Sequence, residues 1–412
     1  MRGLFVILKK EFKSEKAEGM GMEELKRQAL SLAEELRALR RDFHMHPELG
    51  LQEFRTARRI EEELDALGIG HRRVGETGVW ATIRGMDAGD GAVLLRADID
   101  ALPITEMTDV PYRSQNEGVM HACGHDAHTA CLLGAAKLLS RNRARFGGEV
   151  RLIFQPAEEC GNTPERFIAE GALKGVKRVF GLHCAPDLPS DTVGLKPGPN
   201  NAGVDRFSIT VHGLSTHVAT PQLGVDALYI ASQIVVAVQA LATRRIDPVE
   251  PIILGIGTFH AGTTYNALAE TAVLEGTTRT VTRETRLRVR DEITRLAQGI
   301  AAIYGGTAEL SWEEFASPLI NHAEAAAELK ALSEPVWPDK RFITDRPISL
   351  TGDDFAEFIL DTPGAYAYLG TADPARPETQ HNIHSADFDI DEGALPLGAW
   401  LYAASAMDAL SR

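Results

Sequence analysis

The stretch HACGHDAH, residues 121–128, places a thiol, three imidazoles and a carboxylate close together in the chain. Cys123 and His125 are two residues apart, so on one helix they would point to different faces. They can approach the same ion only from a tight loop, and Gly124 between them permits the bend. Three further segments rich in His, Glu or Cys follow, namely QPAEE, LHC and IHS. This pattern outlines a metal centre, and we expect a helix to begin directly after the loop.

Length and charge limit the classes of protein to which this chain can belong. Its 412 residues with 44% hydrophobic content suffice for two domains with separate cores. A formal net charge of −15 argues against nucleic acid or an anionic membrane as a partner, because both require a basic surface. No apolar run is long enough for a membrane span or a signal peptide, so we expect a soluble cytoplasmic protein. Residues 1–22 are charged and turn-rich, and we expect them to form a flexible extension.

The first half of the chain alternates between helical periodicity and short apolar runs. The pattern predicts helices at 23–41, 56–67 and 128–139 and strands at 93–99, 150–154 and 179–182. This alternation is typical of an α/β fold with a mostly parallel sheet covered by helices. Asp98 and Asp100 are predicted to end the first of these strands. Glu158 and Glu159 follow the second strand, and His183 ends the third, where open α/β sheets bind ligands.

Turn-forming residues at 186–203 separate a second unit from the first. The apolar pattern that follows predicts the order βαββαβ, the split ferredoxin-like arrangement, inserted into the first domain. After Pro318 the chain returns to helices and strands of the first domain. We therefore expect a catalytic metal-binding domain at 23–202 and 317–412, and an inserted lid or dimerisation domain at 203–316.

The candidate ligands together are stronger evidence for a metal site than any one of them alone. A single buried His is usually a hydrogen-bonded core residue, and adjacent carboxylates such as Glu158 and Glu159 are most often solvated. A divalent site requires imidazole, carboxylate and occasionally thiolate, and four separated segments supply that set. A carboxylate beside a metal-activated water is the usual arrangement for hydrolysis. The other cysteines do not make a disulfide framework, and we expect Cys131 and Cys160 to be small buried core residues.

Five ordered motifs resemble one known family. They are RADIDALP, MHACGHDAH, FQPAEE, FGLH and NIHS. In this order and spacing the sequence is similar to the amidohydrolase branch of the dinuclear metallopeptidases. That branch contains hippurate hydrolases, N-acyl-amino-acid amidohydrolases and auxin-conjugate hydrolases, and it is related to carboxypeptidase G and aminoacylase. The resemblance runs from Arg41, in RDFHMHPELGLQE, to the C-terminal helix.

The resemblance implies roles for individual residues of the first domain. It implies two divalent ions per subunit, with Cys123 and His125 as paired ligands and the thiolate bridging. The remaining ligands that it implies are Glu159, His183 and His384. It makes Glu158 the general base and Asp100 a carboxylate that orients a ligand. Asp98 stays open between a role at the centre and that of a hydrogen-bonded residue at a strand end.

The inserted domain carries three further residues that the resemblance singles out. The segment GLSTH, residues 213–217, resembles a G-x-G-G-H segment whose imidazole stabilises the oxyanion in the partner subunit's site, which would assign that role to His217. Asn266 in GTTYN and Arg279 in GTTR resemble residues that bind the substrate carboxylate. The resemblance also implies a homodimer or higher oligomer formed through this domain. The stretch TGDDF at 351–355 resembles an acidic loop near the metals, and its two aspartates are left unassigned.

The sequence predicts a metal-dependent amidohydrolase that cleaves N-acyl amino acids to a carboxylate and a free amino acid. Zinc, manganese, cobalt and nickel all suit its ligand types. One alternative is a dipeptidase or carboxypeptidase of the same superfamily, and another is a non-catalytic protein that binds metal or acyl amino acids. A cysteine hydrolase with Cys123 as nucleophile is the least economical reading, since inhibition by a chelator would exclude it.

Overall fold

The computed structural model describes residues 21–161 and 163–412. The extension expected at residues 1–22 lies, up to residue 20, outside the described residues, and residues 21–30 are helical. The chain divides into two compact units. One consists of the chain up to Gly198 together with Asn321–Arg346 and Phe358–Arg412. The other consists of Pro199–Ile320 and Pro347–Glu357.

An eight-stranded mixed sheet forms the centre of the first unit. Its strands are β1 (Gly70–Val74), β2 (Gly78–Arg84), β3 (Ala92–Asp98), β4 (Glu149–Gln155), β5 (Val176–Pro189), β6 (Thr192–Gly194), β13 (Arg341–Ile343) and β14 (Gly364–Ala372). They lie in the order β1-β2-β4-β3-β5-β14-β6-β13. The four central strands, β4, β3, β5 and β14, run parallel, and the hairpin β1–β2 extends one edge in antiparallel fashion. The predicted α/β fold class is confirmed.

Helices cover this sheet, and two of them are almost entirely buried. The helices of the first unit are Ala33–Met45, Phe54–Ala66, His125–Arg141, Pro164–Ala169, Ala323–Ser333 and Leu395–Ser411. Every residue of β3 is buried, and so is nearly every residue of His125–Arg141 and Leu395–Ser411. A helix that is apolar all round has to be enclosed by its neighbours. Gly134 allows the close approach, since a Cβ there would lie 2.8 Å from that of Ala399.

The second unit contains a four-stranded antiparallel sheet with two main helices. Its strands are β8 (Gly203–His212), β9 (Ile252–Ala261), β10 (Thr271–Thr280) and β11 (Thr307–Ala316), in the order β11-β8-β10-β9. Its helices are Ala227–Gln239, Leu241–Arg244 and Arg283–Ile303, and the short strands β7 (Gly198–Asn201) and β12 (Leu319–Asn321) form a separate pair. Alternate residues of β8 point to the core beneath the helices, as the period-two pattern requires. The order of the main elements is βαββαβ.

No helix within the described ranges has both the length and the apolar character needed to cross a bilayer.

Candidate metal centre

The loop at Cys123–His125 has the tight geometry that the sequence predicts. Gly124 adopts φ 92°, a left-handed conformation that glycine enters without a Cβ penalty, and the helix begins at His125. A Cβ on Gly124 would also lie 3.0 Å from that of Cys184. Both Cys123 and His125 are buried. The bend therefore points a thiol and an imidazole, two residues apart, toward the same place.

His183 completes a first group of donors with this loop. Cys123 Sγ and one ring nitrogen from each of His125 and His183 lie within 4.8 Å of one another. The sulfur is 3.4 Å from His183 Nε2. The expectation that His183 ends its strand is wrong, because β5 continues to Pro189 by pairing with β14. His183 instead follows the point where the pairing of β5 with β3 stops, at Gly181.

A second group joins Cys123 to Glu159 and His384, again with donor atoms within 4.8 Å of one another. His384 Nε2 is 3.0 Å from Glu159 Oε1. His384 has φ 64°, which is uncommon for a residue with a side chain, and its N–H donates to the Ala122 carbonyl at 2.7 Å. The backbone thus anchors His384 to the residue next to Cys123, although the two lie far apart in sequence.

Glu158 lies on the same turn as Glu159. The two follow β4 in a short 3₁₀ turn, Glu158–Cys160, and Ala157 before them has φ 55°. His125, Glu158 and Glu159 each present a donor atom within 4.8 Å of the others. The structure therefore brings all five predicted ligands and the predicted base to one place.

Asp100 connects two members of this cluster. Its carboxylate lies 3.2 Å from His125 Nδ1 and accepts the Glu159 N–H at 3.0 Å. The Asp100 carbonyl also accepts from His125 Nδ1, at 3.0 Å. In the neutral ring Nδ1 carries the proton in these bonds, so the lone pair is on His125 Nε2. His183 shows the same tautomer, since its Nδ1 donates to the Cys184 carbonyl at 2.7 Å. Imidazoles held in this way are suited to bind a metal through Nε2.

The electrostatics of the cluster favour a bound cation. Burial lowers the pKa of His125, but the negative charge of Asp98 outweighs burial and holds the pKa well above its ordinary value. Burial raises the pKa of Cys123 well above its usual range, and the nearby Glu159 carboxylate raises it further. A cation beside the sulfur would stabilise the thiolate, which is the form that binds metals. The donor set, its tautomers and its charge therefore fit divalent metal ions.

Asp98 and His128 are fully engaged with other groups. Asp98 lies 2.5 Å from both His128 Nδ1 and Arg96 Nη1. The other ring nitrogen of His128 accepts the Cys184 N–H at 2.8 Å. Asp98, His125 and His128 satisfy the distances for a metal group, but an ion there would have to break these bonds. Asp98 is a hydrogen-bonded residue at the end of β3. His128 is a supporting residue that sequence reasoning missed, although its spacing of three from His125 places it on the same helix face.

The remaining polar residues of HACGHDAH point elsewhere. Asp126 accepts from Arg40 Nε at 2.8 Å and lies 2.7 Å from His44 Nδ1. His121 is buried with neither ring nitrogen in a hydrogen bond to the described chain, and burial lowers its pKa to about 3. Only one of the three imidazoles in the motif therefore joins the cluster.

Three predicted site residues lie in the second unit. His217 pairs in a β-bridge with Ala267, and the Val218 N–H donates to the Asn266 carbonyl at 3.1 Å, so His217 and Asn266 share one loop pair. His217 Nδ1 accepts the Ala219 N–H at 3.1 Å, which leaves the proton of the neutral ring on Nε2. Arg279 lies on β10, half-buried, and donates to Thr278 O at 2.9 Å. Asp353 and Asp354 are buried in this unit.

All four cysteines are free. Cys131 is buried, as expected, and it packs against the glycine of the C-terminal helix, Gly398. The expectation that Cys160 is a buried core residue is wrong, because it is exposed at the end of the Glu158–Cys160 turn. That turn leaves the sheet, and its last residue faces outward.

Comparison with known proteins identifies the family. The model of Peptidase family M20/M25/M40 matches residues 94–408. The chain belongs to this family. An N-acetyl-L-cysteine deacetylase of Bacillus subtilis is 41% identical to this M20 chain, over 89% of the chain and 86% of the relative. Thermostable carboxypeptidase 2 of Saccharolobus solfataricus is 38% identical, over 93% and 97%.

A solved structure supports the same assignment. The crystal structure of the Bacillus subtilis YXEP protein, described as a dinuclear metal binding peptidase from M20 family, matches this M20 chain with a TM-score of 0.80 and 35% identity. The match covers 92% of this chain and 99% of that protein. The predicted resemblance to the dinuclear metallopeptidases is confirmed.

Proposed function

We propose that this M20 chain hydrolyses the amide bond of N-acyl amino acids to a carboxylate and a free amino acid, with two divalent metal ions per subunit. The observation that carries the proposal is the meeting of one thiol, three imidazoles and one carboxylate from four separated segments, with a second carboxylate beside them. The N-acetyl-L-cysteine deacetylase relative, whose name describes an N-acyl amino acid as its substrate, supports the substrate class.

The ligands in this proposal are Cys123, His125, Glu159, His183 and His384. The ions would supply Lewis-acid chemistry, polarising the amide carbonyl and acidifying water. Because Cys123 belongs to both groups of ligand atoms, its thiolate would help to hold the ion in each. Asp100 would fix the positions of the His125 ring and of the Glu159 backbone. Zinc, manganese, cobalt and nickel all accept this mixture of ligands.

Glu158 is the general base in this proposal. It accepts one proton from the attacking water, and it passes that proton to the amide nitrogen as the carbon–nitrogen bond breaks. Its place on the same short turn as Glu159, buried and within the donor cluster, supports this role. Water thereby adds across the amide, and the products are a carboxylic acid and an amine.

Three residues of the second unit have roles in this proposal, and His217 would act in the partner subunit's site. His217 would donate its Nε2–H to the carbonyl oxygen as negative charge develops there, and the observed tautomer supports this role. Asn266 and Arg279 would bind the substrate carboxylate, for which a guanidinium is well shaped.

We also propose that the second unit forms the contact of a homodimer. Strand β9 is an edge of its sheet, and its Phe259 is exposed. Two other large apolar side chains of this unit are exposed, with Val236 71% and Val249 84% exposed. Sheet edges and apolar patches of this kind favour association with a second chain.

One panel of substrates distinguishes the proposed amidohydrolase from the two alternative functions, a peptidase and a binding protein. The carboxypeptidase relative favours a carboxypeptidase or dipeptidase as the second candidate. The protein, loaded in turn with zinc, manganese, cobalt and nickel, should release amine from acetyl- and benzoyl-amino acids faster than from aminoacyl-amino acids. The opposite order would favour the peptidase. A chelator should abolish the activity, and the absence of hydrolysis with every metal would leave only a binding protein.

A further inference from the structure

The segment HPELGLQE, residues 46–53, lies directly beneath the turn that carries Glu158 and Glu159. A Cβ on Gly50 would lie 3.2 Å from Ala157 Cα and 2.8 Å from Cys160 Sγ, so the two stretches are in close contact. The same segment is tied to the other side of the cluster, because Ala101, the neighbour of Asp100, donates its N–H to the Glu48 carbonyl at 2.8 Å. The segment therefore supports two stretches that carry cluster residues.

Glu53 contributes a buried carboxylate to this support. It occupies the N-cap position of the helix Phe54–Ala66, yet its side chain caps nothing there. Glu48 does the capping instead, accepting the N–H groups of Arg55 at 3.0 Å and Thr56 at 2.8 Å. Glu53 Oε1 accepts the Ala157 N–H at 2.8 Å. The carboxylate, with no measurable exposure, is thus directed away from its own helix and to the residue before Glu158.

Ala157 requires such a contact. Its φ of 55° is one of three positive values among the non-glycine residues of the described chain. A left-handed alanine is disfavoured, and it persists only when the surrounding structure holds it. The N–H of Ala157 is buried, so it also needs an acceptor. Glu53 supplies that acceptor.

We propose that Glu53 is a positioning residue for hydrolysis, which holds Ala157 in its left-handed conformation and thereby aims Glu158 and Glu159 at the metal cluster. The role rests on the proposed function. Burial raises the pKa of Glu53 to about 7. A protonated carboxyl group still offers an oxygen to the Ala157 N–H, and so does a glutamine amide. Glutamine is therefore the conservative replacement.

The first test is steady-state kinetics at saturating metal. We expect Glu53→Ala to lower kcat on the order of 100-fold with little change in KM, because the base is misplaced rather than the substrate lost. Glu53→Gln should stay close to wild type. In the Ala157→Gly background, Glu53→Ala should cost less, since glycine enters the left-handed region freely. An equal loss in both backgrounds, or an inactive Glu53→Gln, would overturn the proposal.

The second test does not depend on activity. Amide hydrogen exchange of the metal-free protein should be faster in Glu53→Ala than in wild type within 156–161, and it should be unchanged in Glu53→Gln. The matched control is Glu48→Ala, which removes the cap of Phe54–Ala66 from the same segment. It should speed exchange at the start of that helix and leave both kcat and the 156–161 segment unchanged.

The two tests distinguish the two proposals. If wild type hydrolyses no amide in the panel, the proposed function fails, while the exchange result still decides whether Glu53 holds the turn. The positioning role would be refuted if amide exchange at 156–161 were unchanged in Glu53→Ala. It would also be refuted if exchange became faster by the same factor throughout the helix Phe54–Ala66.

Discussion

Asp100→Ala offers a direct test of how the cluster is held together. Its carboxylate accepts the Glu159 N–H and contacts His125 Nδ1, whereas the backbone carbonyl that also holds His125 survives the change. The substitution therefore removes the hydrogen bond to the Glu159 N–H and one of the two contacts of His125 Nδ1. A hydrogen bond to a charged group contributes about 1.5–3 kcal/mol. Loss of that amount from ligand positioning corresponds to a fall in metal affinity of roughly 10- to 100-fold.

The affinity should be measured by competition between the protein and a metal-binding dye, titrated with zinc and with manganese. The matched control is Asp205→Ala, which removes an equally buried carboxylate that accepts from Arg286 Nε at 2.9 Å in the second unit. It should lower the free energy of unfolding, since it removes the buried carboxylate that pairs with Arg286, and it should not alter metal affinity. Equal affinity in Asp100→Ala and wild type would refute the reasoning that Asp100 preorganises the ligands.

Three further predictions follow from the same geometry. Glu158→Gln should keep its metal content and lose nearly all turnover, because an amide cannot carry the proton; single-turnover assays and metal analysis decide this, and an active variant would remove Glu158 as base. Cys123→Ser should weaken metal binding, seen as lower metal content after dialysis, and unchanged stoichiometry would count against the thiolate. The Glu53 carboxyl has its pKa raised from 4.5 to about 7 in the folded protein. The folded protein therefore binds a proton that the unfolded chain has lost between these pH values. The contribution of Glu53 to the free energy of unfolding falls as the pH rises from 4.5 to about 7. Urea unfolding of the metal-free protein should show Glu53→Gln gaining on wild type by up to about 3 kcal/mol between pH 4 and pH 8, and a pH-independent difference would contradict this.

Some features of the metal centre could be predicted from the sequence because they depend on residues that are close together in the chain. The loop at Cys123–His125 depends on local chemistry, because two donors two residues apart need a glycine bend between them, and that bend is present at φ 92°. The run of β3 is apolar enough to require burial on both faces, and it is wholly buried. Local pattern therefore predicted the parallel centre of the sheet and a helix at the site, although that helix begins at His125 and not at the predicted residue 128.

Other features depend on contacts between residues far apart in sequence. The strand that contains His183 continues because β14, nearly two hundred residues later, supplies its hydrogen bonds. The sequence left Asp98 open between a role at the centre and that of a hydrogen-bonded residue at a strand end, and only the structure shows that Arg96 and His128 lie against its oxygens. Glu53 has the sequence position of a helix cap, and only the nearby Ala157 N–H reveals its different partner.

The amino-acid pattern was enough to predict which residue types can bind a metal, where tight loops and buried strands occur, and the family to which the chain belongs. These depend on the chemistry of single side chains and on periodicity along a short segment. The tertiary structure alone decided which oxygen or nitrogen of each side chain is already occupied and which is left for an ion. That choice depends on distances of a few ångströms between segments, and a linear pattern carries no such distances.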